Sequence, residues 1–310
     1  MSAYSIHSPM LMGQILTVAG RDAGVRLDRF LRERFPGLPA RSVRFALDAG
    51  AVRIDGSVAP KGRVLRVGET VSVAAIAENV DWLPVPGDLP GAAVAYADGS
   101  VAVLCKPHDC HTEPQRPKEP GTLAGHLLHL YPAVAEVSPV PGLTLLTRLD
   151  YATSGAVPAA LTAEAFRILR HEREMGNLRK TYLCLVEGEI REASTIAYAI
   201  ESEGGETVRV RTGRTDPDPR RWTELTPVAS RAGRTLARAT IARGKRHQIR
   251  AHLAAAGHPI VGDRKYSAVP PEGAGKDRLM LHAEEVRFRH PATGVEMTVR
   301  CPAPPGFSIS

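Results

Sequence analysis

The sequence predicts an α+β protein in which a small helix-helix-hairpin domain precedes a larger domain built on a mixed, mainly antiparallel sheet. Two patterns lead to this prediction. Two short amphipathic segments precede a turn signal near the start, and short strand patterns are interrupted by isolated helical patterns in the rest. A length of 310 residues also favours about two domains.

The small domain is predicted over residues 21–75. Apolar residues recur at helical spacing in RLDRFLRERF and again in RSVRFALDA. Gly50 suits the end of the second helix. The Asp55-Gly56 pair indicates a hairpin turn after the strand-like AVRI, and VLRVGETVSV continues as strand. Residues 1–20 are expected to form an N-terminal extension.

A linker rich in proline and glycine over residues 76–93 is expected to lead into the large domain, residues 94–310. There VAVLCKP and KTYLCLVEGEI are typical of strands, and TLAGHLLHLY, LTAEAFRILRHERE and HQIRAHLAAAG of helices. Thr162 is a suitable N-cap for the second helix, and Gly257 would close the third. Strands that outnumber helices in this order favour the α+β class.

The charge distribution favours an acidic partner such as nucleic acid. The formal net charge is +7 with a pI near 9.4, and residues 209–250 alone hold 12 Lys and Arg against three Asp and Glu. No run of about 18 apolar residues and no signal peptide is visible. A soluble cytoplasmic protein without membrane contact is therefore expected.

The cysteines do not predict a disulfide or a metal centre. Four are present, without a Cys-x-x-Cys pair, which favours a reducing compartment. His108 and His111 lie beside two of them, but the spacing is not that of a zinc site. We predict no disulfide and no bound metal. The cysteines are Cys105, Cys110, Cys184 and Cys301.

The segment TRLDYATSG, residues 147–155, is the densest candidate site. By itself the pair of Arg148 and Asp150 could be an ordinary salt bridge. Four other segments accompany it, namely VAVLCKP, KTYLCLVEG, GKRHQIRAHLAAAGHPIVGDRKY and LHAEEVRFRHPATG. Together they resemble the RluA-type RNA pseudouridine synthases, over roughly residues 94–304. The hallmark motif of that family is similar to RLD and TSG, the two halves of the segment over residues 147–155.

The resemblance implies an isomerase that converts uridine in structured RNA to pseudouridine without metal or organic cofactor. Asp150 would be the essential carboxylate, Tyr182 the aromatic residue against the target base, and Arg250 the partner of the carboxylate. Arg148 would help to displace the target nucleotide. A carboxylate suits such chemistry because it can stabilise positive charge on the sugar, add to it covalently, or remove a proton.

The small domain resembles the S-four RNA-binding domain through RLDRFL, DAGAVRIDG and RVGETVSV. This implies that its basic helices contact the phosphate backbone of RNA. Residues of the large domain are predicted to add RNA contacts. The complete predicted set is Arg26, Arg29, Arg41 and Arg44 in the small domain, with Arg148, Lys180, Arg246 and His247 in the large one.

Several positions depart from the family pattern, and they bear on substrate choice. Thr147 stands where histidine is frequent, and Tyr151 with Ala152 replaces a common Arg-Asp pair. Arg246 stands where threonine is common, and the loop over residues 105–114 departs from the family's apolar loop.

Three alternative functions remain at this point. Ribosomal RNA is preferred over transfer RNA as substrate by analogy only. A non-catalytic RNA-binding or ribosome-assembly factor would share the basic surfaces, but retention of Asp150, Tyr182 and Arg250 disfavours it. A hydrolytic glycosidase would need a second carboxylate beside the bond. A monomer without an obligate protein partner is expected, and the modified uridine stays open.

Overall fold

A computed structural model of the chain divides into two units, Met1–Leu83 and Pro84–Ser310. No helix in its described part is long and apolar enough to cross a membrane. The structure describes residues 13–35, 40–60, 62–74, 82–138, 140, 142–201, 206–267 and 278–308.

The first unit pairs two helices with a four-stranded antiparallel sheet of order β1-β4-β2-β3. The predicted helix periodicity is confirmed, because the apolar positions of both helices are buried together against the sheet. The elements are β1 (Gln14–Thr17), α1 (Leu27–Arg34), α2 (Ala40–Asp48), β2 (Val52–Ile54), β3 (Ser57–Val58) and β4 (Thr70–Val73).

Two details of this unit concern the predicted boundaries. The hairpin turn falls at Asp55 and Gly56, whose φ angles of 48° and 81° suit a two-residue turn of this kind. Strand β1, however, lies inside residues 1–20, where only an extension was expected. It pairs with the edge of β4, with Ile15 opposite Ser72. The strand is almost wholly exposed, so its sequence lacks the alternation that marks a half-buried strand.

The second unit is built on a nine-stranded sheet of order β5-β6-β7-β14-β8-β13-β12-β9, with β15 beside β14. All pairs are antiparallel except β7 with β14. The separate pair β10-β11 forms a small hairpin. The strands are β5 (Ala93–Ala97), β6 (Val101–Lys106), β7 (Ser154–Ala160), β8 (Arg179–Glu187), β9 (Ser194–Ile196), β10 (Tyr198–Glu201), β11 (Arg209–Thr215), β12 (Thr223–Arg231), β13 (Arg234–Ile241), β14 (Leu281–Arg289) and β15 (Glu296–Arg300).

Three helices cover the two faces of this sheet: α3 (Leu123–Leu130), α4 (Ala163–Met175) and α5 (Gln248–Ala255). Ala102 and Leu104 of β6 pack in one core cluster with α3 and α5, whereas Val101 and Val103 pack in another with α4. Successive side chains of a strand point to opposite faces, so the helices lie on opposite sides. The predicted α+β class is confirmed.

Residues 84–93, which were expected to belong to the linker, lie in the second unit. The chain from Pro84 onward already packs on α3, where Gly87 N donates to Gly125 O at 3.3 Å and Leu89 N donates to His126 Nδ1 at 3.1 Å. A Cβ on Gly125 would lie 2.2 Å from the carbonyl oxygen of Val85, so only glycine fits there. The large unit therefore begins before Val94.

The prediction that no disulfide forms is wrong. Cys105 at the end of β6 and Cys301 just after β15 are bonded, with Cα atoms 5.6 Å apart. The two residues are 196 positions apart in sequence, and only the sheet topology brings them together. Spacing patterns reveal short-range cysteine pairs, which is why this one gave no signal. Cys110 and Cys184 are buried free thiols.

Candidate active site

Asp150 lies in the turn immediately before β7, and its side chain is 26% exposed. The turn is closed by Thr153 N, which donates to Asp150 O at 3.1 Å. Thr112 holds the residue before Asp150, since its hydroxyl donates to Leu149 O at 2.9 Å and accepts from Leu149 N at 3.1 Å. The backbone around the carboxylate is therefore fixed by the loop that follows β6.

Lys106 holds the residue after Asp150. Its ammonium group donates to Cys110 O at 2.8 Å, Pro107 O at 2.9 Å and Tyr151 O at 3.2 Å. The residue is only 2% exposed, and burial lowers the pKa of its amine. Both neighbours of Asp150 are thus tied to one loop, which gives the Lys-Pro segment a structural role that the sequence did not reveal.

Arg250 of α5 joins two carboxylates. Its Nη1 donates to Asp150 Oδ2 at 2.8 Å, while its Nε and Nη2 donate to the two oxygens of Asp263, each at 2.8 Å. The side chain of Arg250 is 8% exposed and that of Asp263 is fully buried. This bidentate contact fixes the plane of the guanidinium group, so that one N–H remains directed at Asp150.

Asp263 was not among the predicted site residues. Its Oδ1 also accepts from Lys265 N at 2.9 Å and from Tyr266 N at 3.3 Å, so the acid is held by its own loop as well. The only signal in the sequence was an acid within GDRKY, downstream of the helix that carries Arg250. Nothing in the spacing of the two residues shows that they pair.

The charges of this cluster are balanced so that Arg250 stays cationic. Burial alone would disfavour its charge, but the hydrogen bonds and charges of Asp263 and Asp150 outweigh burial and raise the pKa of Arg250 above its ordinary value. Two carboxylates around one guanidinium leave one net negative charge. That charge is available at Asp150, the partially exposed member.

His247 makes a second, longer approach to the carboxylate and is itself held by Tyr266. His247 Nε2 lies 3.9 Å from Asp150 Oδ1, and its Nδ1 is 2.9 Å from the Tyr266 hydroxyl, which accepts from Val208 N at 2.8 Å. Burial lowers the pKa of His247, which favours the neutral ring. A proton on Nε2 would face Asp150. His247, predicted as an RNA contact, therefore lies beside the carboxylate.

Tyr182 lies on β8 and is almost fully buried. Burial first, and then the negative charge of Asp150, raise the pKa of its phenol well above the ordinary value. The hydroxyl group stays protonated at neutral pH as a result. Tyr182 can present an aromatic surface near Asp150 with its phenol neutral.

Arg148 is 62% exposed, and its Nη1 lies 3.5 Å from Glu113 Oε2. An exposed ion pair of this length is weak, so the guanidinium group can leave Glu113 at little cost. Arg148 is the charged group nearest in sequence to Asp150 that is free to change position. This suits the predicted role of filling space that an extruded nucleotide vacates.

We expect Arg148→Ala to lower the turnover of RNA by about tenfold or more, since unstacking a base costs a few kcal/mol that the arginine would help to offset. RNA affinity should change much less. Single-turnover product formation and RNA binding, measured side by side, would test this. Arg148→Lys keeps the charge without the planar group, so its turnover should lie between those of wild type and Arg148→Ala. Wild-type turnover in Arg148→Ala would contradict the role.

The remaining predicted RNA contacts of the large unit differ in exposure. Lys180 is buried, and burial lowers the pKa of its amine to about 8, so this residue is not available as a surface RNA contact. It alternates with Arg179 and Thr181 on β8 and faces inward. Arg246 Nη2 donates to Thr207 O at 2.9 Å and remains a candidate at the surface.

In the first unit, three of the four predicted arginines lie on or next to the two helices in local ion pairs and are largely exposed, namely Arg26, Arg29 and Arg44. The side chain of Arg41 lies outside what the structure describes. Such exposed pairs are weak and can be exchanged for phosphate contacts. The pairs are Arg26–Asp28 at 3.0 Å, Arg29–Glu33 at 2.7 Å and Arg44–Asp48 at 3.7 Å.

The positive charge of the segment over residues 209–250 is partly neutralised by ion pairs within the segment. Two of its three acids collect several of its cations: Asp216 accepts from Lys245 at 2.8 Å, and Asp218 accepts from Arg220 at 2.7 Å and from Arg243 at 3.1 Å. Burial would raise the pKa of Asp216, but its contacts outweigh burial and lower it. The pKa of Asp218 is lowered first by its hydrogen bond with Arg220. Part of the net charge is therefore compensated within the fold.

The Cys-His cluster weighed as a metal site does not converge. Cys105 is in the disulfide. His108 contacts Asp109 at 2.7 Å, and His111 contacts Glu119 at 2.7 Å. These side chains have separate partners in the described part of the chain.

Comparisons with known proteins converge on one kind of enzyme. Residues 100–255 match a family model described as RNA pseudouridylate synthase. Ribosomal large subunit pseudouridine synthase D of Escherichia coli (strain K12) is 30% identical over 304 residues, which cover 93% of this chain and 90% of that protein. The protein of the same name from Yersinia pestis is 29% identical over 297 residues, 91% and 88% of the two chains.

A solved structure agrees with these sequence matches. Human RNA pseudouridylate synthase domain containing 1 superposes with a TM-score of 0.56 at 26% identity, covering 71% of this chain and 86% of that one. A second human protein, RNA pseudouridylate synthase domain containing 4, has a TM-score of 0.54 at 18% identity and shares the fold.

Proposed function

This chain belongs to the RNA pseudouridylate synthase family, and from that premise we propose that it isomerises a uridine of large-subunit ribosomal RNA, with Asp150 as the catalytic carboxylate. The observation that carries the assignment of Asp150 is its contact with Arg250, which is itself fixed by Asp263. In this arrangement a charged carboxylate is partly open to solvent while its backbone is immobile.

The choice of RNA rests on the relatives. Two bacterial proteins that align with nearly the whole chain are named for the large ribosomal subunit. A transfer RNA substrate is the second choice, and no specific observation favours it. We place the enzyme in the cytoplasm, acting as a monomer on RNA.

The proposed reaction breaks the bond between the uracil ring nitrogen and the ribose, turns the base, and joins a ring carbon to the same sugar carbon. That ring carbon then gives up its proton and the ring nitrogen freed from the ribose gains one, so atoms balance without oxidation or hydrolysis. The uridine must first leave its stack, at a cost of a few kcal/mol, and Arg148 is placed to occupy the space. Asp150 can stabilise the sugar cation, add to it, or take a proton from the neighbouring carbon.

The surrounding groups suit this chemistry in distinct ways. Arg250 keeps Asp150 in one orientation and adds a positive charge on the side away from substrate. Tyr182, with its phenol neutral, offers a flat face for the detached uracil. A hydrolytic glycosidase is disfavoured, since the second carboxylate of the cluster, Asp263, is fully buried and occupied by Arg250.

Mapping of pseudouridine in total RNA tests the proposal. Cells that lack the gene would be complemented with wild-type protein or with Asp150→Asn. A ribosomal site that is lost in the deletion and restored by wild type alone would establish the activity, the target and the role of Asp150. A site in transfer RNA instead would replace the proposed substrate, and no altered site would favour a non-catalytic RNA-binding role.

We further propose that the small unit contacts RNA phosphates through its arginine-bearing helices. Neutralising Arg29 and Arg44 together by glutamine should weaken RNA binding and lower the slope of log affinity against log salt by up to about two, because each lost phosphate contact removes about one. Binding measured across a salt series would show this.

A control with the same change in net charge is available in the large unit. Arg191 and Arg300 are highly exposed, and their double glutamine variant should leave the slope closer to wild type. Equal slopes in all three proteins would contradict a phosphate-binding role for the small unit.

A further inference from the structure

Tyr151, the residue that follows the catalytic carboxylate, is a large aromatic side chain left 49% exposed. Its hydroxyl group makes no hydrogen bond to any described residue. The ring does contact His111, whose centroid lies 4.8 Å away with the planes inclined at 61°. The two rings lie on different loops, and these loops meet beside Asp150.

The His111 ring is held by a side chain behind it, and Tyr151 is held through its backbone. His111 Nδ1 lies 2.7 Å from Glu119 Oε1, and Glu119 also accepts from Gln115 N at 2.6 Å and Arg116 N at 3.2 Å. Burial alone would raise the pKa of Glu119, but these hydrogen bonds lower it, so the acid is ionised and holds the imidazole. Tyr151 is held through its backbone oxygen by Lys106.

Two exposed guanidinium groups lie near the ring pair, each in an ion pair with an acid: Arg116 with Glu119, and Arg148 with Glu113. Arg116, which contacts Glu119 at 3.3 Å, is 76% exposed, and Arg148 on the other side of Asp150 is 62% exposed. A flat aromatic surface with guanidinium groups nearby suits a nucleotide, whose base stacks and whose phosphate is anionic. Exposed ion pairs of this kind are weak, so both arginines can exchange their acids for a phosphate, which an apolar peptide does not offer.

We propose that Tyr151 and His111 form an aromatic shelf on which a nucleobase adjacent to the target uridine stacks. The proposal rests on the proposed function for the position of the target at Asp150. Stacking tolerates any base, since every base has an aromatic face. The shelf would therefore hold the neighbour in place while the uridine is extruded, and it would favour a substrate whose neighbouring base is free to unstack.

The test compares the affinities of two RNA hairpins, with and without the neighbouring bases, for proteins with and without the Tyr151 ring. The first probe is an RNA hairpin whose loop carries one uridine between two adenosines, and the second replaces those adenosines with abasic riboses. Affinities are measured by fluorescence anisotropy in Asp150→Asn, so that product formation does not intervene. This protein should prefer the first hairpin by about tenfold, the size expected for one stacked base.

Three additional substitutions identify the cause of that preference. Adding Tyr151→Ala or Tyr151→Leu should abolish it, while Tyr151→Phe should keep it, because only phenylalanine retains an aromatic face. These changes leave the Lys106 contact in place, since it is made to the backbone, and the exposed side chain contributes little to the core. An unchanged preference in Tyr151→Ala would overturn the shelf.

The same comparison separates the shelf from the enzymatic proposal. If pseudouridine mapping finds no product while Tyr151→Ala abolishes the preference, the shelf stands as an RNA contact and the proposed function fails. If mapping finds product and Asp150→Asn binds both hairpins equally, the function stands and the shelf is overturned.

Discussion

Asp150→Asn should abolish pseudouridine formation, with a loss of at least about a thousandfold, while RNA affinity stays near that of wild type. Asparagine has the same shape, and its amide oxygen can still accept the N–H of Arg250. It cannot carry the negative charge, add to the sugar or take a proton, and such a group contributes about 10²–10⁴-fold by proton transfer alone. Nucleoside mass spectrometry of treated ribosomal RNA would measure product.

The matched control for this substitution is Asp109→Asn. Asp109 is a more exposed carboxylate on the loop after β6, where it contacts His108. Its loss should reduce product only slightly, which would separate a general change in surface charge from removal of the catalytic group. Full activity in Asp150→Asn would remove the assignment of Asp150 altogether.

The second large effect is expected at Asp263. Asp263→Ala leaves Arg250 buried with only one of its two carboxylate partners, and breaking a buried pair in this way costs about 3–5 kcal/mol of folding stability. Asp263→Asn keeps the shape and should fold, but it loses charge-assisted contacts that fix the guanidinium plane. By analogy with the residues that orient metal ligands, whose loss lowers activity about 10- to 100-fold, we expect a similar loss of turnover here. Urea unfolding and turnover should be measured on both variants.

A structural role alone would not produce that loss of turnover, and Asp98→Asn provides the comparison. Asp98, at the turn between β5 and β6, accepts from Ser100 N, Val101 N and the Tyr96 hydroxyl, and lies 2.7 Å from His290 Nε2. Burial alone would raise the pKa of Asp98, but these hydrogen bonds outweigh burial and lower the pKa well below its ordinary value. Asp98→Asn should therefore cost stability and leave turnover intact. Equal turnover losses in both asparagine variants would contradict a positioning role for Asp263.

The elements that could be predicted from the sequence are those whose signals are local. Helix α4 combines an apolar stripe, an N-cap at Thr162 whose hydroxyl accepts from Ala165 N, and Gly176 in a left-handed conformation at its end. Strand β8 is a short run rich in apolar residues that ends just before Gly188, and its residues from Tyr182 to Val186 are all buried. In both cases the residues that determine the element lie within one or two turns of each other.

The features that the sequence did not predict depend on contacts between segments that are distant in the chain. Asp263 and Arg250 meet through a loop that bends back on α5, and Lys180 faces inward because of where β8 lies in the sheet. Neither orientation is encoded in the residues nearby. The resemblance to a family located Asp150, Tyr182 and Arg250, but the groups that hold them, Lys106 and Asp263, emerged only from the three-dimensional arrangement.

The bond between Cys105 and Cys301 gives the large unit the topology of a ring. The loop it closes contains the turn with Asp150, all three helices and most of the sheet, and only short tails of that unit lie outside. Closing so long a loop restricts the unfolded chain by roughly 5 kcal/mol in the chain-entropy account. A protease that cuts once between the two cysteines would open the ring without releasing a fragment, because the two pieces stay joined through the disulfide until it is reduced.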